Sequence, residues 1–350
     1  MPSLNLKDLP PPPLGKLGFP WTEETPPQYI SKNLPKISII TPSFNQGQFI
    51  EETIRSVLLQ GYPNLEYIII DGGSTDNTIE IIKKYSNFID YWVSEKDKGQ
   101  SNAINKGLKR ATGDVFNWLN SDDFYLPNAL ITTGKAFRNK ELNVFCGQLF
   151  TETKEGKRTH FKGVFLEKTI EKTIASRYFC QPPTFFRLSI VKKMGGVESQ
   201  LYFCMDLELW INYLAYFGHK GIESSLEFLA VFRLHDAAKT HSSMDVMHTD
   251  HINLLLSIID SSPLSTHFPR LFRQKSTIFT PYFQKNYPLS ILDKKGLSIA
   301  VSESFLHYYA QYLSWQGFFE LYFYTLKEQF LGRNKRVYLS PFIKLKRLFK

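Results

Sequence analysis

Apolar positions along the chain alternate between short β-branched runs and stretches of helical spacing. The first run, Lys36-Ile37-Ser38-Ile39-Ile40, stops at Thr41-Pro42. From Phe49 to Gln60 the period changes, and Phe49, Ile50, Ile54, Val57 and Leu58 share one helical face. A second run, Tyr67-Ile68-Ile69-Ile70, ends at Asp71-Gly72-Gly73. Ser74-Thr75-Asp76 then offer N-cap side chains to a helix carrying Ile79, Ile82 and Tyr85. Tyr91-Trp92-Val93 predicts a third strand, Ala103 to Ala111 a helix, and Val115 to Leu119 a fourth strand. Strands alternating with helices predict a mostly parallel α/β sheet. From about Ile211 onward the pattern turns helical and aromatic, and Phe305 to Phe330 interleaves Phe, Tyr and Leu with Glu, Gln and Lys. Ahead of the first strand, residues 1–35 are proline-rich and read as an extended arm, laid on or off the domain.

Composition changes this picture in two places. A chain of 350 residues with 43% hydrophobic content can bury a sizeable core. Its net charge of +9 is concentrated in Arg333, Lys335, Arg336, Lys344, Lys346, Arg347 and Lys350, with no acidic residue among 333–350. That pattern describes a basic tail, not a basic groove across the protein. Cys146, Cys180 and Cys204 are widely spaced and odd in number, so a disulfide framework is not expected and a reducing cytoplasm fits. No basic segment followed by an apolar run opens the chain, and no stretch reaches the roughly 18–20 apolar residues of a spanning helix. A cytoplasmic protein, soluble or peripheral on the inner membrane face, is the expectation.

In open α/β sheets ligands bind beyond the carboxyl ends of the strands. Polar residues stand at three such ends: Thr41-Pro42-Ser43-Phe44-Asn45, Asp71, and Asn120-Ser121-Asp122-Asp123. Each has an ordinary alternative, since Asp71 suits a turn and Asp122-Asp123 could cap the helix that begins near Pro127. Three such residues at one edge make a convergent rim. Paired carboxylates there suit a hard divalent cation that would also meet substrate phosphates. The chain contains neither G-x-x-x-x-G-K-[ST] nor G-x-G-x-x-G after a strand, which leaves ATPase and dinucleotide readings without support.

Four segments, Ile37 to Asn45, Asp71 to Asp76, Ser94 to Ser101 and Trp118 to Asp123, together resemble family 2 glycosyltransferases over roughly residues 36–240. The resemblance implies a GT-A-like, Rossmann-type mixed sheet flanked by helices. It also implies an inverting transfer from a nucleotide sugar, as in bacterial capsule, exopolysaccharide or lipopolysaccharide assembly. By position it implies that Thr41, Pro42, Asn45 and Ser121 line the nucleotide pocket and that Asp71 bonds the base, with uracil expected. Asp97, Lys98, Gly99 and Asn102 pass near the diphosphate and sugar, and Mn²⁺ or Mg²⁺ is held at Asp122 with Asp123. Two departures stand out: Asn120 replaces the first aspartate of the D-x-D motif, and Ile104 replaces an arginine.

The catalytic half comes from the same resemblance. Phe203 to Trp210 matches the segment that supplies the general base, with Asp206 at the base position and Glu208 at a second acidic position on the acceptor side. From spacing alone, Asp206 reads equally as an acidic residue opening a helix. Gln181 to Arg187 matches an acceptor-side segment, with Gln181 leading it. Arg233, His235 and Lys239 match a loop that closes on the diphosphate, though a solvated basic loop has the same composition. His241, His248 and His251 lack cysteine partners and the H-E-x-x-H spacing of a zinc site.

The implied organisation is an arm (1–35), a transferase domain (36–240) and a helical, aromatic and basic extension (241–350). The expected partners are a nucleotide-sugar donor and a saccharide or lipid-linked acceptor, with no nucleic acid. Residues 333–350, where apolar and basic side chains alternate, suit an anionic membrane surface or partial packing on the domain. A catalytically weak sugar-nucleotide-binding scaffold is the alternative that Asn120 keeps open.

Overall fold

The computed structural model describes residues 4–26, 33–161, 163–176, 179–236, 238–239, 244–260 and 285–308. The chain divides into two compact units. The first comprises Met1–Phe165, Tyr178–Leu209 and Lys220–Met244, and the second Leu166–Arg177, Trp210–His219 and Asp245–Lys350. The basic tail 333–350 and His241 lie outside the described residues, as does the aromatic stretch beyond Tyr308.

In the first unit the expected strands form β1 (Ile37–Ser43), β2 (Leu65–Asp71), β3 (Tyr91–Ser94) and β4 (Val115–Trp118). β1 pairs parallel with β2 and β4, and β2 with β3. Every residue of β1 is buried, as a parallel strand covered on both faces requires. Helices α1 (Ile50–Leu58), α2 (Thr78–Lys84) and α3 (Gln100–Arg110) connect them. Ile50, Ile54 and Val57 of α1 pack with Ile37, Ile39, Tyr67 and Ile69 in one core cluster. α3 comes close to β1 because position 107 is glycine: a Cβ there would fall 2.6 Å from Ile40 Cγ2.

Further strands widen the sheet: β5 (Phe124–Tyr125), β6 (Val144–Glu152), β7 (Arg158–Phe161), β8 (Thr184–Arg187) and β9 (Ile222–Arg233). The order is β3-β2-β1-β4-β8-β6-β9-β5, with β7 on β6. β8 runs antiparallel to both β4 and β6, so the sheet is mixed. Helices α4 (Ala129–Ala136), α5 (Ile170–Ser176), α6 (Leu188–Lys193) and α7 (Met205–Phe217) fall between these strands in the chain. The helical pattern expected from Ile211 onward is broken by the 12-residue strand β9. Its first half, Ile-Glu-Ser-Ser-Leu-Glu, is mostly exposed and has no clean alternation; only its second half is buried.

The described part of the proline-rich arm, residues 4–26 and 33–35, lies on the domain. Leu9 and Trp21 are buried, and the fully buried Arg55 of α1 is the peg that holds them. Its guanidinium donates to the carbonyls of Pro20 (2.9 Å), Pro10 (2.8 Å) and Trp21 (3.1 Å). The second unit contains α5 and two further helices, α8 (Met244–Asp260) and α9 (Lys294–Tyr308). Within it the Glu171 carboxylate accepts the Asp293 N–H, and Thr173 bonds His219. No helix among the described residues is long and apolar enough to cross a membrane.

Candidate functional site

The carboxyl ends of the parallel strands meet in register. Ser43 of β1 pairs with Asp71 of β2, and Asp71 with Ser94 of β3. Asp71 is fully buried, and four donors meet its carboxylate. Gly73 N–H, Ser74 N–H and Ser94 hydroxyl bond one oxygen at 3.1, 2.9 and 2.6 Å, and the Ser74 hydroxyl bonds the other. The residue expected to read a base thus also anchors the β2 loop, and its Oδ1 accepts one bond against three at Oδ2. Thr41 is likewise buried beneath the rim, its hydroxyl 3.1 Å from that of Tyr67, and Pro42 is buried beside it.

The loop after β1 is laced to the loop after β2. Asn45 has φ of 51°, accepts the Thr75 N–H through its side chain (2.8 Å) and donates its own N–H to Ser74. Gln46 and Gly47 donate to Thr78 and Asp76. This lacing holds Phe44 outward, with 58% of its surface exposed. Lone exposed aromatics are ordinary, but this one stands at the strand end where a planar ligand would lie. A search for polar strand ends passes over it; its signal is a large apolar residue flanked by two turn formers.

Asp97 comes over the same rim. Its Oδ1 accepts the Gly99 N–H at 2.7 Å, and its Oδ2 lies 3.0 Å from where a Cβ on Gly72 would stand. The missing side chain at Gly72 makes room for this carboxylate. Lys98 is exposed, Asn102 is half-buried and bonds back to the Lys98 N–H, and Gly99 opens α3 with φ of 100°. The Ser101 hydroxyl in the first turn of α3 is buried and has no partner. Ile104 is fully buried, so it leaves no opening for a cation from that position.

Beyond β4, Asp122 and Asp123 point to different surroundings. Asp123 is fully buried; its Oδ1 accepts the Arg233 N–H at 3.1 Å and its Oδ2 faces the Asn120 amide at 3.3 Å. Burial and the neighbouring Asp122 charge raise its pKa well above the usual carboxylate range. Asp123 therefore joins the scaffold, and Asp122 alone of the pair stays at the rim. The Asp122 carboxylate meets His235 Nε2 at 3.0 Å. His235 packs on Phe49 with ring centroids 4.4 Å apart, and its Nδ1 is buried without a partner. Arg233, expected on the diphosphate, is engaged inside the fold: it donates to the Asp122 carbonyl at 2.7 Å, pairs with Glu52 at 2.7 Å and lies over Phe124. Ser121 is buried, and its carbonyl accepts the Thr53 hydroxyl.

Lys239 reaches the start of α3. It donates to the Gln100 side chain at 3.3 Å and to the Tyr202 carbonyl, and it lies 3.8 Å from the centre of the Tyr202 ring. Asp206 stands in the first turn of α7; burial raises its pKa, opposed by its bond from the Leu207 N–H and by the Lys239 charge. Gln181 donates to Asn117 (3.0 Å) and to the Trp118 carbonyl (2.6 Å), leaving its own buried oxygen without a partner. Glu208 is fully buried, so an acceptor reaches its carboxylate only through rearrangement.

The donor set tests the expected cation. Asp122 and His235 offer one carboxylate and one imidazole at a shared point, and no group of three or more His, Cys, Asp or Glu able to hold a metal occurs among the described residues. A cation here would take the place of the hydrogen bond between these two side chains and would need its remaining ligands from phosphate oxygens and water.

Similarities to known proteins follow the same layout. The family model for glycosyl transferase family 2 matches residues 38–195. An uncharacterized glycosyltransferase of Rickettsia typhi is 30% identical over 228 residues, covering 60% of this chain and 68% of the relative. The Campylobacter jejuni GalNAc(5)-diNAcBac-PP-undecaprenol β-1,3-glucosyltransferase is 27% identical over 51% of this chain and 60% of its own length. The fold resembles S. aureus TarS (TM-score 0.52, 17% identity, 82% of this chain), of whose length this chain spans 54%. It also resembles TarS 1–349 solved with UDP (TM-score 0.50, 16% identity, 84% of this chain and 87% of that one). The chain belongs to glycosyl transferase family 2 and has the GT-A fold.

Proposed function

We propose that this glycosyltransferase moves a sugar, with inversion, from a UDP-sugar to a saccharide or lipid-linked acceptor in cell-surface polysaccharide synthesis. The observation that carries the reading is the single edge shared by Phe44, Asp97 and the Asp122–His235 pair beyond the parallel strands. Phe44 offers a flat face to the base, and Asp97 offers an acceptor for a base N–H beside Asp71, whose buried carboxylate already takes four donors. Asp71, Asn45 and Thr41 serve this pocket by fixing its loops, with Pro42 and Ser121 in its walls.

The diphosphate belongs at the start of α3, where Gly99 permits close approach and the first-turn N–H groups favour an anion. Lys98 and Lys239 supply the positive charge that Ile104 cannot. Asp122 and His235 would hold Mn²⁺ or Mg²⁺, which when bound neutralises charge on the departing diphosphate. Asp206 removes the proton from the attacking acceptor hydroxyl, and Gln181, with its unpartnered oxygen, is placed on the acceptor side. The UDP bound in TarS 1–349 and the polyprenyl diphosphate in the Campylobacter relative's name support the donor and acceptor classes. Three buried cysteines, none of them in a disulfide, accord with a cytoplasmic setting.

Calorimetric titration with UDP in MnCl₂ or MgCl₂ tests the donor half. The wild-type chain is expected to bind, and Phe44→Ala to bind about tenfold more weakly, the loss of one base–aromatic stack. Equal affinity in that variant would remove the stack. No UDP binding by the folded wild type would remove the nucleotide.

A further inference from the structure

Lys239 and the buried Asp123 are joined by two side-chain amides. Lys239 Nζ donates to Gln100 Oε1 at 3.3 Å, Gln100 Nε2 donates to Asn120 Oδ1 at 2.7 Å, and Asn120 Nδ2 donates to Asp123 Oδ2 at 3.3 Å. The direction of this chain is forced. An ammonium can only donate, so Gln100 must turn its oxygen to Lys239 and its NH₂ to Asn120. Asn120 must then turn its oxygen to Gln100 and its NH₂ to Asp123. Both ends agree, because Asp123 presents an acceptor there.

We propose that Asn120 and Gln100 are positioning residues that hold Lys239 at the start of α3 through this relay. The inference rests on the transferase reading for its consequence, the placing of a cation beside the leaving diphosphate. Asn120 is then not a weakened metal ligand. An aspartate at position 120 removes the amide N–H that faces Asp123 Oδ2 and crowds a third carboxyl group beside Asp122 and Asp123. Asn120→Asp, which restores the pattern of the resemblance, therefore damages this protein.

The relay also specifies a rescue. Asn120→Asp with Asp123→Asn exchanges amide and carboxylate. The new amide at position 123 keeps an oxygen for the Arg233 N–H and gives its NH₂ to the new carboxylate at position 120, whose second oxygen accepts from Gln100. Thermal unfolding without ligand reads this directly. Each single change is expected to lower Tm by roughly 3–6 °C, and the double change to recover at least about half of the summed loss. In release of UDP from UDP-sugars with MnCl₂, Asn120→Asp is expected to lose about tenfold or more, and the exchange to return most of it.

Gln100→Met, at a half-buried position, keeps the length of the side chain and removes both bonds. It is expected to fold with nearly unchanged Tm and to lower kcat about tenfold, with the donor KM changed less than about threefold. Combined with Lys239→Met it is expected to add less than about twofold, since both act through one link. Additive thermal losses in the exchange, Asn120→Asp at or above wild type, or unchanged kcat in Gln100→Met would each overturn the relay. A folded wild type that neither binds nor turns over the donor sinks the transferase reading instead, and the thermal cycle still decides the relay. If both single variants prove insoluble, Gln100→Met decides it.

Discussion

Replacing Asp206 by Asn is expected to abolish turnover while leaving UDP affinity within about threefold of wild type. A positioned general base contributes on the order of 10²–10⁴ in rate, and an amide cannot take the acceptor proton. Asp206 sits at the first turn of α7, where its own helix bonds it through the Leu207 N–H and Lys239 is the nearby cation. Burial raises its pKa from the ordinary aspartate value, so the acid limb of the pH–rate profile should lie higher than for an exposed aspartate. The sign is fixed by the role: a base works deprotonated, and the rate falls as pH drops through that raised value. Cys180 is another titratable group beside it, and burial keeps that thiol protonated across this range. Turnover in Asp206→Asn equal to wild type would remove the residue as the base.

The second large effect concerns stability. Arg55→Leu is expected to destabilise the fold by about 3–5 kcal/mol, measured by chemical denaturation. The guanidinium is fully buried and reaches three arm carbonyls and the Tyr85 hydroxyl, which in turn donates to Glu51. Leucine fills part of the volume but leaves those acceptors dry, each costing roughly 1–3 kcal/mol when unmet. Trp21, 5.6 Å from the guanidinium, loses its cationic neighbour as well. Limited proteolysis should then cut within residues 4–26 first. A loss under about 1 kcal/mol would mean that the arm contributes little to the fold.

The parallel half of the sheet is legible in the chain because its strands are buried on both faces and so appear as unbroken apolar runs. Ile37–Ile40 and Tyr67–Ile70 need no partner to be recognised. β7 and the first half of β9 carry no such signal, since the former is exposed throughout and the latter places glutamate and serine on a mostly exposed ribbon. β7 folds back on β6 as a hairpin, whereas the pairing of β9 with β6 is a long-range contact that no local pattern encodes.

The site divides in the same way. That Asp71 and Asp122 stand at strand ends follows from the runs preceding them. That four donors hold Asp71 does not, because one of its partners is Ser94, 23 residues further on. Asp123 and Arg233 resemble functional groups by type, and the fold joins them across 110 residues through the Arg233 backbone N–H, a link that no local pattern shows. By motif Asn120 reads as a loss; with Gln100 and Lys239 in line with its amide, it becomes a link.

The most direct measurement is release of UDP from a panel of UDP-sugars by the purified chain, with MnCl₂ or MgCl₂ and saccharide or polyprenyl-diphosphate acceptors. UDP is expected to form one-for-one with a glycosylated product of inverted anomeric configuration, and Asp206→Asn to form none. A folded wild type that binds UDP yet transfers no sugar across the panel, or that yields product with retained configuration, would contradict the transferase assignment.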